Sequence, residues 1–523
     1  MSTDPGGGPG GAVLDADTRK LHELGYAQEL RRRMSGFSNF AVSFTIISIL
    51  SGCLTAYGIA MTNGGPVDMT WGWILVGVMT TIVGLGMAEV CSAYPTAGGL
   101  YYWSARLAKK NKAAWSWYCG WFNLLGQVAV TAGIDFGFAL FFNAFLNLTT
   151  GWGATPGHTV IIYAGILIVH AALNIFGVRV VAFLSDVSVW WHLLGVLAIV
   201  ISLLVIPAHH ASFSFVFTDL VNETGYHNTF YVFMIGLLLA QYTFTGYDAS
   251  AHMTEETHNA AIAGPKGIVN SILVSLVAGF VLLFGLTYAI FNKAEYAKVL
   301  VSPTGVPPVQ IWIDSINRHG GEILLVVAMV AQAFCGMASV TANSRMIYAF
   351  SRDGAIPGSK FWHHINPRTR TPSRAIYFAV VFAFLLGLPD LWSSVAYGAV
   401  ISIAVIGLYI AYVIPTFLRR RAGDSFERGP WHLGKWSPLV GWVGIGWVVV
   451  ITVLFVLPTA SPITWHDFNY TPVAVGVVFL YATIFWFASA RKWFTGPRAQ
   501  GSEADLEEIE ARLATAEQLE HTF

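Results

Sequence analysis

Three ionisable side chains, Asp135, His192 and Asp248, fall deep inside long apolar runs, and a fourth, Glu89, falls near the end of one. A charge near the centre of a bilayer costs at least ~3 kcal/mol on insertion scales. Each of these groups therefore points to pairing, proton transfer or gating rather than to ordinary solvation. A histidine with an unperturbed pKa of ~6.5 can switch charge near neutral pH, or stay neutral as a hydrogen-bonded link between helices. Asn123, Gln127, Thr131 and Asp135 recur every four residues and so form one polar stripe. Such a stripe lines a solute pathway or hydrogen-bonds neighbouring helices. Asp135 is the member placed to pair with a substrate amine or with His192.

Two stretches have the composition of a helix that unwinds inside the membrane, where freed N–H and C=O groups coordinate a charged solute more cheaply than side-chain charge would. One is Ile49-Leu50-Ser51-Gly52-Cys53-Leu54-Thr55, the other Tyr242-Thr243-Phe244-Thr245-Gly246-Tyr247-Asp248. A single such stretch is explained by small residues serving close packing; two at matching depth favour the break. The sequence holds no GxSxG, HExxH or phosphate-binding loop, and its four cysteines show no metal-ligand spacing. No cofactor, metal or self-contained ATP-driven step is expected, and neither a membrane enzyme nor a channel with a continuous polar pore is favoured.

The elements that must position these groups follow from composition. Of 523 residues, 55% are hydrophobic and only 11% charged, with a mean hydropathy of +0.59. Soluble domains carry about a quarter charged residues, which argues against a soluble enzyme, a nucleic-acid binder or a disordered regulator and for a chain embedded in a lipid bilayer. Runs long enough to span occur at 37–60, 70–91, 114–148, 158–177, 183–206, 228–254, 268–291, 322–350, 374–389, 391–418, 438–458 and 472–493, hereafter segments 1 to 12. A tight turn at Pro389 and Asp390 separates segments 9 and 10, one long kinked helix being the rival. Lys and Arg accumulate in cytoplasmic loops, and this register puts 26 of them on one face and only Lys293, Lys298 and Arg318 on the other. Both termini are thus expected in the cytoplasm. The polar, glycine-rich start lacks the layout of a cleaved signal, so segment 1 is expected to insert the chain. The stretch Gly501–Phe523 carries seven acids against one Arg. Leu506, Ile509 and Leu513 would make it an amphipathic helix, but a solvated tail is the favoured expectation.

The two breaks lie five segments apart, which suggests two inverted five-helix halves. The expected organisation is a tail at 1–34, a first repeat at 35–206, a second at 228–418, two added helices at 438–493 and an acidic tail at 499–523.

Glu89-Val90-Cys91-Ser92-Ala93-Tyr94-Pro95-Thr96-Ala97-Gly98-Gly99-Leu100-Tyr101-Tyr102-Trp103, Phe244-Thr245-Gly246-Tyr247-Asp248-Ala249 running on to Glu255-Glu256-Thr257, and Ser351-Arg352-Asp353-Gly354-Ala355-Ile356-Pro357 followed by Asn366-Pro367-Arg368-Thr369 and Thr371-Pro372 occur in one order. Together these motifs resemble the amino acid, polyamine and organocation transporter superfamily, in particular its amino acid/choline branch with GABA and choline permeases, over about residues 35 to 490. The resemblance implies an all-α LeuT-type fold with segments 1 and 6 broken at the midplane. It implies that a substrate carboxylate meets the amides of the first break, where the family's Gly-(Ser/Thr)-Gly stands as Ser51-Gly52-Cys53. The amine or a choline-like head would meet carbonyls near Phe244, Thr245 and Gly246, beside Tyr242 at the family's aromatic gate. In register from Gly177-Val178-Arg179, His192 falls where many proton-coupled members carry a lysine that approaches the first break. Asp248 falls where the family often has an intracellular gate acid, and Glu89 within a structural loop motif. The expected function is a plasma-membrane secondary transporter of an amino acid or related amine, driven by protons. The alternatives are an exchanger, or a sodium symporter using Ser339 and Thr341 with carbonyls of segment 1.

Overall fold

The computed structural model describes residues 15–520 apart from 177, 303, 367, 394–395 and 465–467; the side chains of 178–179 and 516–520 are also outside the description. The first 14 residues of the expected tail, Pro367 of the third motif, Gly177 and the end of the acidic tail lie outside the described residues.

Among the described residues eleven helices are long and apolar enough to cross a membrane: Gly36–Thr55, Asp68–Ala93, Lys112–Thr150, Pro156–Phe176, Val180–Val205, Ala260–Tyr288, Arg318–Arg352, Ser373–Leu391, Ala396–Ser425, Gly434–Leu454 and Thr471–Ala488. They coincide with segments 1–5 and 7–12. The place of segment 6 is taken by the shorter apolar helix Thr229–Thr243. Segments 9 and 10 are two helices: one ends at Gly387, a tight turn runs over Leu388–Leu391, and the next begins at Ala396. The long helices of segments 3, 8 and 10 pack side by side, as do those of segments 2 and 7.

The breaks are where sequence and structure differ in detail. In segment 1 the chain leaves the helix at Ser48 (φ 35°, ψ 83°), and Ile49–Thr55 is helical before a second interruption at Ala56. Ser51, Gly52 and Cys53 therefore lie in the helical turns after the break, not in an unwound stretch. The reason is packing: a methyl group on Gly52 would stand 2.5 Å from Thr243 Oγ1 and 2.9 Å from Thr243 Cα, so the glycine serves helix contact here. Segment 6 breaks as expected: helix Leu238–Thr243 ends, Phe244–Asp248 is irregular, and helix Ala249–His252 resumes. Gly246 holds φ +93°, a conformation L side chains avoid, and a methyl there would overlap Ile46 just before the first break.

On the face carrying both termini, the segment from Ala16 to Arg33 lies against the chain after the second break. Gln28 Nε2 donates to the Glu255 carbonyl, Arg32 to the carbonyls of Thr254 and Thr257, and the Met34 amide to the Glu256 carbonyl. The acidic tail is a helix, Glu503–Glu520, and it is docked rather than solvated: Leu506 is buried, Glu510 accepts from the Gln28 amide at 2.6 Å and meets His22 at 2.8 Å, and Arg370 donates to the Leu513 carbonyl. The apolar positions Leu506, Ile509 and Leu513 prevail over net charge because they share one face with a surface to cover. On the opposite face a two-residue antiparallel ribbon joins Asn63–Gly64 to Val221–Asn222.

Gly246→Ala combines a left-handed backbone penalty with overpacking against Ile46, a loss of about 2–4 kcal/mol. The expected outcome is a lower thermal unfolding temperature of the purified protein in detergent, whereas alanine at Gly446, which meets nothing within 4 Å, leaves it unchanged.

Candidate functional site

The two breaks meet at the centre of the molecule. Glycines allow the approach on both sides, Gly52 against Thr243 and Gly246 against Ile46. Ser43 Oγ donates to the Tyr247 carbonyl at 2.9 Å and accepts from the Ser250 amide at 2.9 Å, so segment 1 holds the far end of the second break. The Cys335 thiol donates to the Ile46 carbonyl, 3.2 Å away. Phe244 is fully buried on Trp73, with ring centroids 4.4 Å apart, and the Thr245 hydroxyl turns back to the Tyr242 carbonyl. The Gly246 amide donates to Tyr412 Oη at 3.3 Å.

His192 of segment 5 reaches the first break directly. Its Nε2 lies 2.6 Å from Ser48 Oγ, and its Nδ1 lies 2.8 Å from the Ser188 carbonyl and 3.1 Å from Ser188 Oγ. A carbonyl only accepts, so Nδ1 carries a proton and the neutral ring accepts from the Ser48 hydroxyl. Protonating Nε2 reverses that bond, with Ser48 accepting. The residue whose backbone makes the break is thus the residue whose hydrogen bond reports the charge of His192.

Asp135 pairs with a different histidine from the expected one. Its Oδ1 lies 2.9 Å from Nδ1 of His170 on segment 4, both side chains are almost fully buried, and among the described residues no other group pairs with either carboxylate oxygen. Gly336 of segment 8 makes the room: a methyl there would overlap Asp135 and stand 2.6 Å from His170 Cε1. About one turn toward the terminal face, Thr131 meets Ser339 Oγ at 2.9 Å, and Thr341 donates to Asn174 Oδ1 at 2.6 Å. Segments 3, 4 and 8 are therefore registered by three polar contacts in sequence. Those same bonds occupy the Ser339 and Thr341 hydroxyls.

Asp248 is enclosed by partners. Gln127 Nε2 donates to it at 2.7 Å and the Tyr412 hydroxyl at 2.6 Å, and His252 Nε2 lies at 3.2 Å. Asn123 Nδ2 lies 3.4 Å from the same His252 nitrogen. All four members of the segment 3 stripe are thus in contacts between helices. Glu89 meets Arg419 at 3.4 Å and Arg420 at 3.7 Å and accepts from Ser437, a loop-holding role. Tyr242 is buried with its hydroxyl over Gly133, beside Tyr397. Tyr397 also lines a cavity of about 520 Å³ that opens on the face away from the termini, with Asn63, Ile235 and Ser402. A second cavity, about 240 Å³, lies on the terminal face between Ser38, Ser185, Thr341 and Arg345.

The sequence reading passed over His170, His252, Tyr397 and Tyr412. His170 carried a usable signal, since Asn174 one turn later puts two polar groups on one face of an apolar helix; His252 follows Asp248 at the same spacing. The tyrosines gave none in so aromatic a chain.

Residues 34–480 match the family described as amino acid permease. The chain belongs to that family. This permease is 45% identical over 500 residues to a protein of Arabidopsis thaliana named amino-acid permease BAT1, the alignment covering 93% of this chain and 97% of that one. It is 43% identical over 511 residues to the BAT1 homolog of Oryza sativa, covering 95% and 98%. It is 31% identical over 502 residues to the GABA-specific permease of Saccharomyces cerevisiae, covering 94% and 87%. The permease is a multi-pass membrane transporter, and the matched region includes every residue of the site and stops before the docked C-terminal helix.

Removing one member of the buried Asp135–His170 pair strands the other, at about 3–5 kcal/mol. His170→Ala is expected to lower the unfolding temperature of the permease in detergent more than the double variant Asp135→Asn/His170→Ala, which leaves no unpaired charge.

Proposed function

We propose that the permease imports an amino acid or a related amine such as GABA or choline, driven by an inward proton gradient, through alternating access about the breaks at Ser48 and at Phe244–Asp248. The observation that carries this is the 2.6 Å contact between His192 and Ser48, which gives a titratable group direct purchase on the backbone that must rearrange. In this reading Thr229–His252 is a sixth crossing, the chain crosses twelve times as two inverted five-helix repeats plus two helices, and both termini lie in the cytoplasm of a cell whose plasma membrane holds the protein. The names of the relatives, which include a GABA-specific permease, support the substrate class.

The carboxylate of the substrate meets the amides that start the helix at Ile49, and its amine meets the carbonyls freed at Phe244 and Thr245, with Tyr242 and Tyr397 covering it from outside. Protonated His192 donates to Ser48 and favours one arrangement of the first break; the neutral ring accepts and favours the other. Asp248, held by Gln127, Tyr412 and His252, anchors the inner half of segment 6 so that it moves with segments 3 and 10. Sodium coupling is less well supported, because the Ser339 and Thr341 hydroxyls bond to Thr131 and Asn174 rather than to segment 1.

The test is uptake of radiolabelled GABA, choline and a panel of amino acids by proteoliposomes under imposed proton or sodium gradients. Stimulation by external acid is expected, and His192→Ala should reduce it by about tenfold or more while leaving exchange of substrate across the membrane. Equal proton stimulation in the variant would remove His192 from coupling, and no uptake under any gradient would overturn the substrate class.

A further inference from the structure

Among the described residues Asp68 is a buried carboxylate with no partner. It opens segment 2 on the face away from the termini, it is 2% exposed, and no described residue donates to either oxygen. Among the described residues no Lys, Arg or His pairs with it. Its pocket is made by three glycines from three segments. A methyl on Gly64, at the end of segment 1, would overlap the carboxylate; one on Gly72 would stand 2.7 Å from Oδ1; one on Gly236, in the outer half of segment 6, would overlap both Asp68 Oδ2 and the Asn63 carbonyl oxygen. Both oxygens stand 2.0 Å from the same added-methyl position, so the carboxylate oxygen and that carbonyl oxygen are neighbours across Gly236.

Two acceptors at such proximity in a desolvated site repel unless a proton lies between them. Tyr296 of the 7–8 loop is within electrostatic reach of Asp68 and also of Tyr57 of segment 1 and Glu223 beside the ribbon, and the Asp219–Lys293 ion pair lies behind Val67. None of these supplies a donor: Tyr57 meets Thr287, and Tyr296 donates to the Met61 carbonyl. Access is short, because Asn63 and Ile235, adjoining Gly64 and Gly236, line the outer cavity of about 520 Å³.

We propose that Asp68 is an outer proton site of the transport cycle: its protonated carboxyl donates to the Asn63 carbonyl and clasps the outer halves of segments 1, 2 and 6 together. Loss of that proton to the outer cavity restores two facing acceptors and releases the clasp. Only the place of this step in a cycle rests on the proton-driven transport proposed above; the clasp itself does not.

Hydrogen–deuterium exchange of the purified full chain tests it. After correction for intrinsic rates, peptides over 57–66 and 229–237 should lose about tenfold or more of their protection between about pH 5.5 and about pH 8.5. Asp68→Asn, whose amide supplies the same donor at any pH, should stay protected at both, and Asp68→Ala should be unprotected at both. Protection of the wild type that ignores pH overturns the proposal without need of a variant, and so does Asp68→Asn behaving as Asp68→Ala. Protection regained at high pH with NaCl but not with choline chloride would assign the site to a metal cation and overturn the proton. If proteoliposomes take up nothing, the transport reading falls while the exchange result stands. If uptake is normal and exchange is flat, the reverse holds.

Discussion

A helix that stops inside a membrane exposes backbone groups that lipid cannot satisfy, and the rest of this molecule is arranged around two such stops. Ser48 leaves the helix, and its hydroxyl meets His192. The Ile46 carbonyl is met by the Cys335 thiol, and the freed amide of Gly246 by Tyr412. Each partner comes from a different helix, so the breaks tie segments 5, 8 and 10 to segments 1 and 6. The glycines at 52 and 246 let segments 1 and 6 approach closely at these stops, Gly52 against Thr243 and Gly246 against Ile46.

The ionisable groups follow one rule with different outcomes. Among the described residues Asp248 has three partners; Asp135 has one and sits in a register of polar contacts between segments 3, 4 and 8; Asp68 has none. Burial of an unpaired carboxylate is the most expensive of these three arrangements. His192 stands apart, because both of its nitrogens are used whichever charge it carries.

Eleven of the twelve expected segments, the two-helix turn at Pro389 and the second break were legible because each is a property of local sequence: apolar length, proline, and a short run of Thr and Gly. The first break was misplaced by a few residues because small residues serve both unwinding and close packing, and only the neighbour Thr243 decides which use Gly52 has. The partner of Asp135 was illegible for a related reason. His170 and His192 are both buried histidines on adjacent segments, and nothing in a linear pattern says which one faces segment 3. The acidic tail was misjudged because its charge was weighed without the surface formed by residues 16 to 33.

The two faces are closed by different physics. On the terminal face the seal is ionic and long-range: Arg345 holds Glu256 at 2.9 Å, Arg352 stacks 3.9 Å above Tyr26, and the C-terminal helix lies over the N-terminal segment through Glu510, Gln500 and Arg370. Charge-assisted hydrogen bonds of this kind contribute about 1.5–3 kcal/mol each when desolvated, so opening that face means displacing several at once, the tail among them. The opposite face has a two-residue ribbon and a cluster of glycines around one carboxylate. Neutral hydrogen bonds hold that face as well, among them Tyr231 to the Pro458 carbonyl, the Ser461 amide to the Thr224 carbonyl and Tyr296 to the Met61 carbonyl. Because the tail helix lies beyond residues 34–480, which match the family, the strength of the terminal seal is set partly by sequence that follows the matched region.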